Sequence, residues 1–268
     1  MINKINITTF LDSVDLGVSR PILVLGDDFN EYILKNQRID NNGTITKFDC
    51  MFLNEMLAFQ IAKYLGIPIP DIAIAHLDKS FIDEYPEYRF THRLEEGIYF
   101  STKKLDNVEN NLIDNMNDLI DMGKNYSIKS WNSFLKKIDN HSSIAGIIAF
   151  DIYIANFDRY SNEGNILIAN NGTRTVYAID HGHAFFGPSF NKDKNHNLCN
   201  IFKVANYTSE LSMIIKQHTG RIFRSLSQHI DLTDLSKNPF EDVIFKIDDI
   251  SEELIDEWLN NIPAICIL

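Results

Sequence analysis

Five polar side chains stand in apolar surroundings, in the chain order Lys35, Glu55, Asp158, Asn165 and Asp180. Lys35 closes the run "EYILK", where Tyr32, Ile33 and Leu34 alternate in strand fashion and aim the lysine in a fixed direction. A lysine at a strand end is ordinarily just solvated. Glu55, however, lies in "LNEMLAF" among apolar neighbours, where an acidic side chain needs a cation. Lys35 is the candidate partner. Asp158 follows the apolar segment "GIIAFDIYIANF", Asn165 opens "NILI", and Asp180 closes "YAID". Between the last two runs, Asn171-Gly172 is a strong hairpin signal. A hairpin there sets Asn165 and Asp180 side by side at one end. An amide oxygen beside a carboxylate is a hard-oxygen site suited to Mg²⁺ or Mn²⁺. Asp158 nearby can orient an attacking hydroxyl and take its proton, and a lysine held by a glutamate can neutralise phosphate oxygens. That inventory is the one phosphoryl transfer from ATP requires.

The elements that must position these residues come in two textures. From about residue 15 to 105, short β-like runs ("RPILVLGDD", "NEYILKNQ", "PDIAIAHLD", "GIYFSTKKL") are bounded by Gly, Pro, Asp and Asn. Asp27, Asp28 and Asn30 read as a hairpin turn between the first two runs. One helix interrupts this region: "KFDCMFLNEMLAFQIAKYLGIPIP" carries Met51, Phe52, Met56, Leu57, Phe59, Ile61 and Leu65. It stops at Gly66 with Pro68 just beyond. From about residue 108 the pattern turns helical, with "NVENNLIDNMNDLIDMG" and "SIKSWNSFLKKID" amphipathic. "SSIAGIIAFDIYIANFD" is apolar nearly all round, hence central, with Ser142 or Ser143 as its N-cap and Asp158 at its end. Three more helical segments are expected toward the C-terminus. A β-rich first part followed by a helical part implies a two-lobed α+β protein with a ligand cleft between the lobes.

The chain has 268 residues, 44% of them hydrophobic and 23% charged, an ordinary globular composition. No apolar run approaches the ~18 residues of a membrane span, and "MINKINITTFLDSVDLG" does not read as a signal peptide. Cys50, Cys199 and Cys266 are far apart and show neither metal spacing nor a disulfide framework, so a cytoplasmic setting is expected. A net charge of −12 disfavours general nucleic-acid binding. The basic stretch "IIKQHTGRIFRSLSQH" reads as a solvated helix face.

Three stretches, "GVSRPILVLGDDFNEYILK", "LNEMLAFQIAKYLGIPIP" and "FDIYIANFDRYSNEGNILI" with its continuation "YAIDHGHAF", resemble the HipA-like kinases. "GIYFSTKKL" does so more weakly, and together they cover most of residues 16–187. The resemblance implies a protein-kinase-like fold of one catalytic domain. Residues 1–105 would form the β-rich N-terminal lobe and residues 106–268 the helical C-terminal lobe, a minimal kinase core without an added N-terminal subdomain. It implies transfer of the ATP γ-phosphate, with Mg²⁺ or Mn²⁺, to a hydroxyl acceptor such as a protein Ser or Thr, and an antitoxin-like protein partner. By the same resemblance Lys35 is the ATP-phosphate lysine and Glu55 its ion-pair partner. Asp158 is the catalytic aspartate, Asn165 a metal ligand, and Asp180 the counterpart of the aspartate in the kinase "DFG". Gly17, Val18, Ser19 and Arg20, in "GVSRP", would cover the phosphates.

Two departures stand out. No GxGxxG precedes Lys35, and Gly17 is the only glycine of the presumed loop. Kinases place the metal Asn five residues after the catalytic Asp, where this chain has Glu163, while Asn162 comes one residue early and Asn165 two late. The "NILI" register favours Asn165, with Asn162 the alternative. Two rival readings remain: a metallohydrolase using His181, His183, Asp180 and Asp158, and a pseudokinase that binds nucleotide without turnover.

Overall fold

A computed structural model describes residues 2–14, 20–41, 44–109, 138–140, 142–156, 158–161, 165–190 and 241–264. The expected loop residues Gly17, Val18 and Ser19, the alternative ligand Asn162, the helical readings over 110–137 and the basic stretch at 214–229 lie outside them.

Five strands close into a barrel in the order β1–β2–β3–β7–β6. These are β1 (Asn3–Ser13), β2 (Ile22–Gly26), β3 (Glu31–Lys35), β6 (Ile72–Leu77) and β7 (Gly97–Lys103). Alternation decides their faces: Ile22, Val24, Tyr32 and Leu34 are buried while their neighbours are half-exposed. β1 was not expected from the sequence, where the apolar alternation of "NKINITTFLDS" is confined to Ile5 and Ile7. It pairs antiparallel with β2 (Phe10 opposite Val24) and parallel with β6 (Ile5 opposite Ala75), which removes the free edges of the sheet. The expected turn at 27–30 joins β2 to β3, with Ile22 opposite Leu34. Lys35 pairs with Phe100 at the end of β3. A small hairpin of β4 (Arg38–Asn41) and β5 (Thr44–Lys47) follows.

Helix α1 spans Met51–Leu65 and ends on a left-handed Gly66 (φ 77°), as the sequence implied. Its inner face buries Met56, Ala58, Ile61, Ala62 and Leu65. Two short helices, α2 (Lys79–Glu84) and α3 (Glu87–Thr91), lie between β6 and β7. Tyr88 of α3 stacks on Phe10 of β1 at 3.7 Å between ring centres.

Val108–Glu109 forms a strand, β8, where the sequence suggested the start of a helix, because it pairs with β9. Helix α4 (Ser143–Tyr153) is buried almost all round, as expected of its composition. Ser142 occupies its N-cap without a side-chain cap bond, and the helix stops at Tyr153 rather than running on to Asp158. The chain leaves it through Ala155 at φ 51°, a conformation no helix continues. Asp158 instead opens a one-turn helix, α5 (Asp158–Ser161). The hairpin β9 (Ile166–Asn170) and β10 (Arg174–Ala178) turns at Asn171–Thr173 as expected, with Ile166 opposite Ala178. Near the C-terminus α6 (Glu241–Asp248) and α7 (Glu252–Asn260) pack back onto α1. Lys246 Nζ donates to Leu65 O at 3.2 Å, and Gln60 Nε2 donates to Trp258 O at 2.8 Å. Among the described residues no helix is long and apolar enough to cross a membrane. The molecule is therefore of mixed α+β type with a β-rich N-terminal region.

Candidate active site

Lys35 emerges from the end of β3 toward α1. Its Nζ bonds Glu55 Oε1 at 2.5 Å and Asp180 Oδ1 at 2.9 Å. The Glu55 carboxylate is nearly sealed from solvent, with its side chain 4% exposed, whereas Asp180 remains 39% exposed at the site's open side. Burial disfavours the Lys35 ammonium, but Asp180 and Glu55 outweigh it and hold its pKa above the usual lysine value. Burial likewise pushes Glu55 up, and Lys35 together with contacts from His181 more than offsets that, so the carboxyl stays well below the usual glutamate range. Glu55 Oε2 also accepts the backbone N–H of His181 at 3.1 Å.

The hairpin does what its turn promised. Ile179 N–H donates to Asn165 O at 3.1 Å, which sets Asp180 one residue beyond Asn165's cross-strand neighbour. Asn165 Nδ2 donates to Asp158 Oδ2 at 3.1 Å, so its amide oxygen is the atom left to act as a ligand. Asp180 is held at φ 60°, and Ala155, Phe185 and Phe186 in the adjoining turns are also left-handed. Such conformations are costly for side-chain-bearing residues and cluster where geometry is imposed.

Lys35, Glu55, Asp158, Asn165 and Asp180 are thus linked by direct side-chain bonds or by the β9–β10 register. Arg20 stands apart: it is exposed, and its Nη1 donates to Thr91 O at 3.3 Å. One cavity of about 650 Å³, lined by residues including Arg38, Lys79, Arg89 and Glu95, contains none of the five.

Sequence reasoning missed the residue that ties the site together. Arg159 is wholly buried, its side chain 0% exposed. Its Nε donates to Asp151 Oδ2 at 2.6 Å, Nη1 to Ile179 O at 2.7 Å and to Asn165 O, and Nη2 lies 2.8 Å from His181 Nε2. Asp151, buried inside α4, also accepts from Asn156 Nδ2 at 3.1 Å. The rule that found Lys35 for Glu55 would have found Arg159 for Asp151, since an aspartate within an apolar helix needs a cation. Asn54 was missed too. Its buried Nδ2 reaches the carbonyls of Gly182, Ala184 and Gly187 at 2.7–3.0 Å and fastens α1 to the turn after Asp180.

The Asp180 carboxylate and the Asn165 amide oxygen suit a hard divalent cation. Of the histidines proposed for a metal centre, His181 has its Nε2 against the Arg159 guanidinium, which competes for the lone pair a metal would need. Among the described residues no group of three or more His, Cys, Asp or Glu side chains is gathered to hold a metal.

The model of the HipA-like kinase family matches residues 7–147, more than half of the 268. Among solved structures, the proinflammatory kinase CtkA of Helicobacter pylori is similar with a TM-score of 0.48 and 16% identity, over 98% of this chain and 96% of that one. The Golgi casein kinase with Mn/ADP bound is similar at 0.38 and 13%, over 96% and 72% of the two chains. HipA of Shewanella oneidensis MR-1, solved with HipB and its operator DNA, is similar at 0.36 and 12%, over 97% and 66%. No curated protein matches the chain by sequence.

Proposed function

The chain belongs to the HipA-like kinase family, and from that premise we propose that it transfers the γ-phosphate of ATP to a hydroxyl of an acceptor, a protein Ser or Thr. The observation that supports this most is the pair of hydrogen bonds that Lys35 donates to Glu55 and Asp180, side chains drawn from β3, α1 and the end of the β9–β10 hairpin. In this reading Lys35, braced by Glu55, sets its positive charge against phosphate oxygens. Asp158 orients the acceptor hydroxyl and takes its proton while the hydroxyl oxygen bonds to the γ-phosphorus and the bond to ADP breaks. Asn165 and Asp180 would hold Mg²⁺ or Mn²⁺, with Asn162 the alternative to Asn165; when bound, the cation supplies charge neutralisation at the transferring phosphate. Gly17, Val18, Ser19 and Arg20, which lie between β1 and β2 in the chain, would cover the phosphates.

Residues 1–105 and 106–268 are proposed as the two lobes of one catalytic domain, with the site between them. An antitoxin-like protein is the proposed partner, and the cytoplasm the proposed setting.

Calorimetry with ATP and Mg²⁺ or Mn²⁺ tests the reading, followed by labelled ATP with host lysate and mass spectrometry of the products. Wild type should bind ATP in a metal-dependent way and transfer phosphate, and Asp180→Ala should lose the metal dependence. Unchanged affinity in a folded Asp180→Ala protein would sink the ligand assignment. Binding without transfer by wild type would make the protein a nucleotide-binding module.

A further inference from the structure

The phosphotransfer reading gives His181 no task, yet its ring is among the best-held groups in the molecule. It is 1% exposed and meets Phe150 edge-on at 5.5 Å between ring centres. Its Nε2 lies 2.8 Å from Arg159 Nη2. A guanidinium carries only donors and keeps its charge in proteins. Nε2 must therefore accept, which makes the ring neutral with its proton on Nδ1. Nδ1 faces Glu55 Oε2 at 3.7 Å, the same oxygen that takes the His181 backbone N–H. On its other sides Arg159 is held by Asp151 and in turn holds the carbonyls of Asn165 and Ile179. One carbonyl belongs to the candidate ligand Asn165, and the other immediately precedes the candidate ligand Asp180.

We infer that His181 is a positioning residue: its Nε2 pins the Arg159 guanidinium, and that planar fork fixes the backbone of both candidate metal ligands. The inference rests on the kinase reading and adds a residue to it. It carries a counterintuitive consequence. Converting "DHG" to the ordinary kinase "DFG" by His181→Phe keeps an aromatic ring against Phe150 but strips a buried N–H of its acceptor. The change toward the commoner sequence is the damaging one.

The test measures Mn²⁺ and ATP binding by calorimetry, and phosphotransfer against Mg²⁺ concentration, for wild type, His181→Phe and His181→Gln. The glutamine Oε1 reaches about where Nε2 stands and can accept from Arg159. His181→Phe should raise the half-saturating metal concentration roughly ten- to a hundredfold, the usual effect of losing a group behind a metal ligand, with His181→Gln within about threefold of wild type. ATP affinity without metal should be unchanged. A residue with only a structural role would lower melting temperature without this metal-specific pattern. Nitrogen NMR of the wild-type ring should show Nδ1 protonated and Nε2 bare. Should His181→Phe fail to fold, Arg159→Lys, which keeps the charge and loses the fork, should give the same rise. An unchanged metal requirement in the folded variants, glutamine no better than phenylalanine, or a proton on Nε2 would each overturn the inference alone. Failure of wild type to bind ATP at all would overturn the kinase reading and the inference with it.

Discussion

Asp151 and Asp158 are separated by the end of α4, and their surroundings assign them opposite consequences. Asp151 is fully buried against the Arg159 guanidinium. Asp151→Asn leaves that cation uncompensated, and breaking such a buried pair costs about 3–5 kcal/mol. Asp158 is half-buried and acts, in the proposed reaction, mainly in the transition state. Asp158→Asn should therefore keep ATP affinity and melting temperature while cutting turnover by roughly 10²-fold or more. Parallel measurement of affinity, rate and melting temperature separates the two, and wild-type turnover in Asp158→Asn would refute its role. Glu55 adds a pH signature. Its folded pKa lies below that of an unfolded glutamate. The stability it contributes is whole above the unfolded value, about 4.3, and is lost progressively as pH falls below it. Wild type should lose melting temperature between about pH 5 and about pH 3 more steeply than Glu55→Gln, whose amide does not titrate there. Parallel curves would contradict the assignment.

At the scale of elements, α1 is the part that brings the halves of the site together. Asn54 fastens it to the turn at 182–187, and Glu55 reaches both Lys35 and His181. Gly182 permits this closeness: a methyl there would come 2.6 Å from Met51 Cγ and 3.6 Å from Glu55 Oε1. Gly182→Ala should push the start of α1 away, lowering stability by about 1–3 kcal/mol and weakening ATP binding. Thermal unfolding and calorimetry check this, and wild-type values in both would show the contact to be soft. The elements that carry Lys35, Glu55, Asn165 and Asp180 were legible because each had a local signal: alternation in β3, Gly66 after α1, Asn171-Gly172 between β9 and β10. Two parts of their convergence were legible: the Lys35–Glu55 pair, because a buried acid demands a cation, and the meeting of Asn165 and Asp180 at one end of a hairpin. The bond from Lys35 to Asp180 that joins the two had no local signal. β1 was not legible, since its pairing with β6 depends on residues far along the chain. Nor was the end of α4, where the left-handed Ala155 and the bond from Asn156 back to Asp151 close an apolar run. Arg159 escaped because Asp151, an acid within an apolar run like Glu55, was not matched with a cation.

At the scale of the whole molecule, the barrel joins the first strand of the chain to one that begins at Ile72, and β7 lies between β3 and β6. This arrangement has a consequence in time. As the chain leaves the ribosome, β1, β2 and β3 can form a sheet early, because they follow one another along the chain. β6 then adds to the open side of β1 and leaves two edges facing each other across a gap. The strand that fills the gap, β7, is made only after the α2–α3 excursion, with Leu34 then opposite Ser101 and Ile74 opposite Phe100. Until Lys103 has emerged, the nascent sheet exposes β3 and β6 as apolar edges, the kind that recruit other chains. Chains truncated just before Gly97 should therefore aggregate, and those truncated after Lys104 should do so markedly less, which light scattering on matched preparations would reveal. Equal aggregation of the two would show that β7 is not the closing strand in folding order.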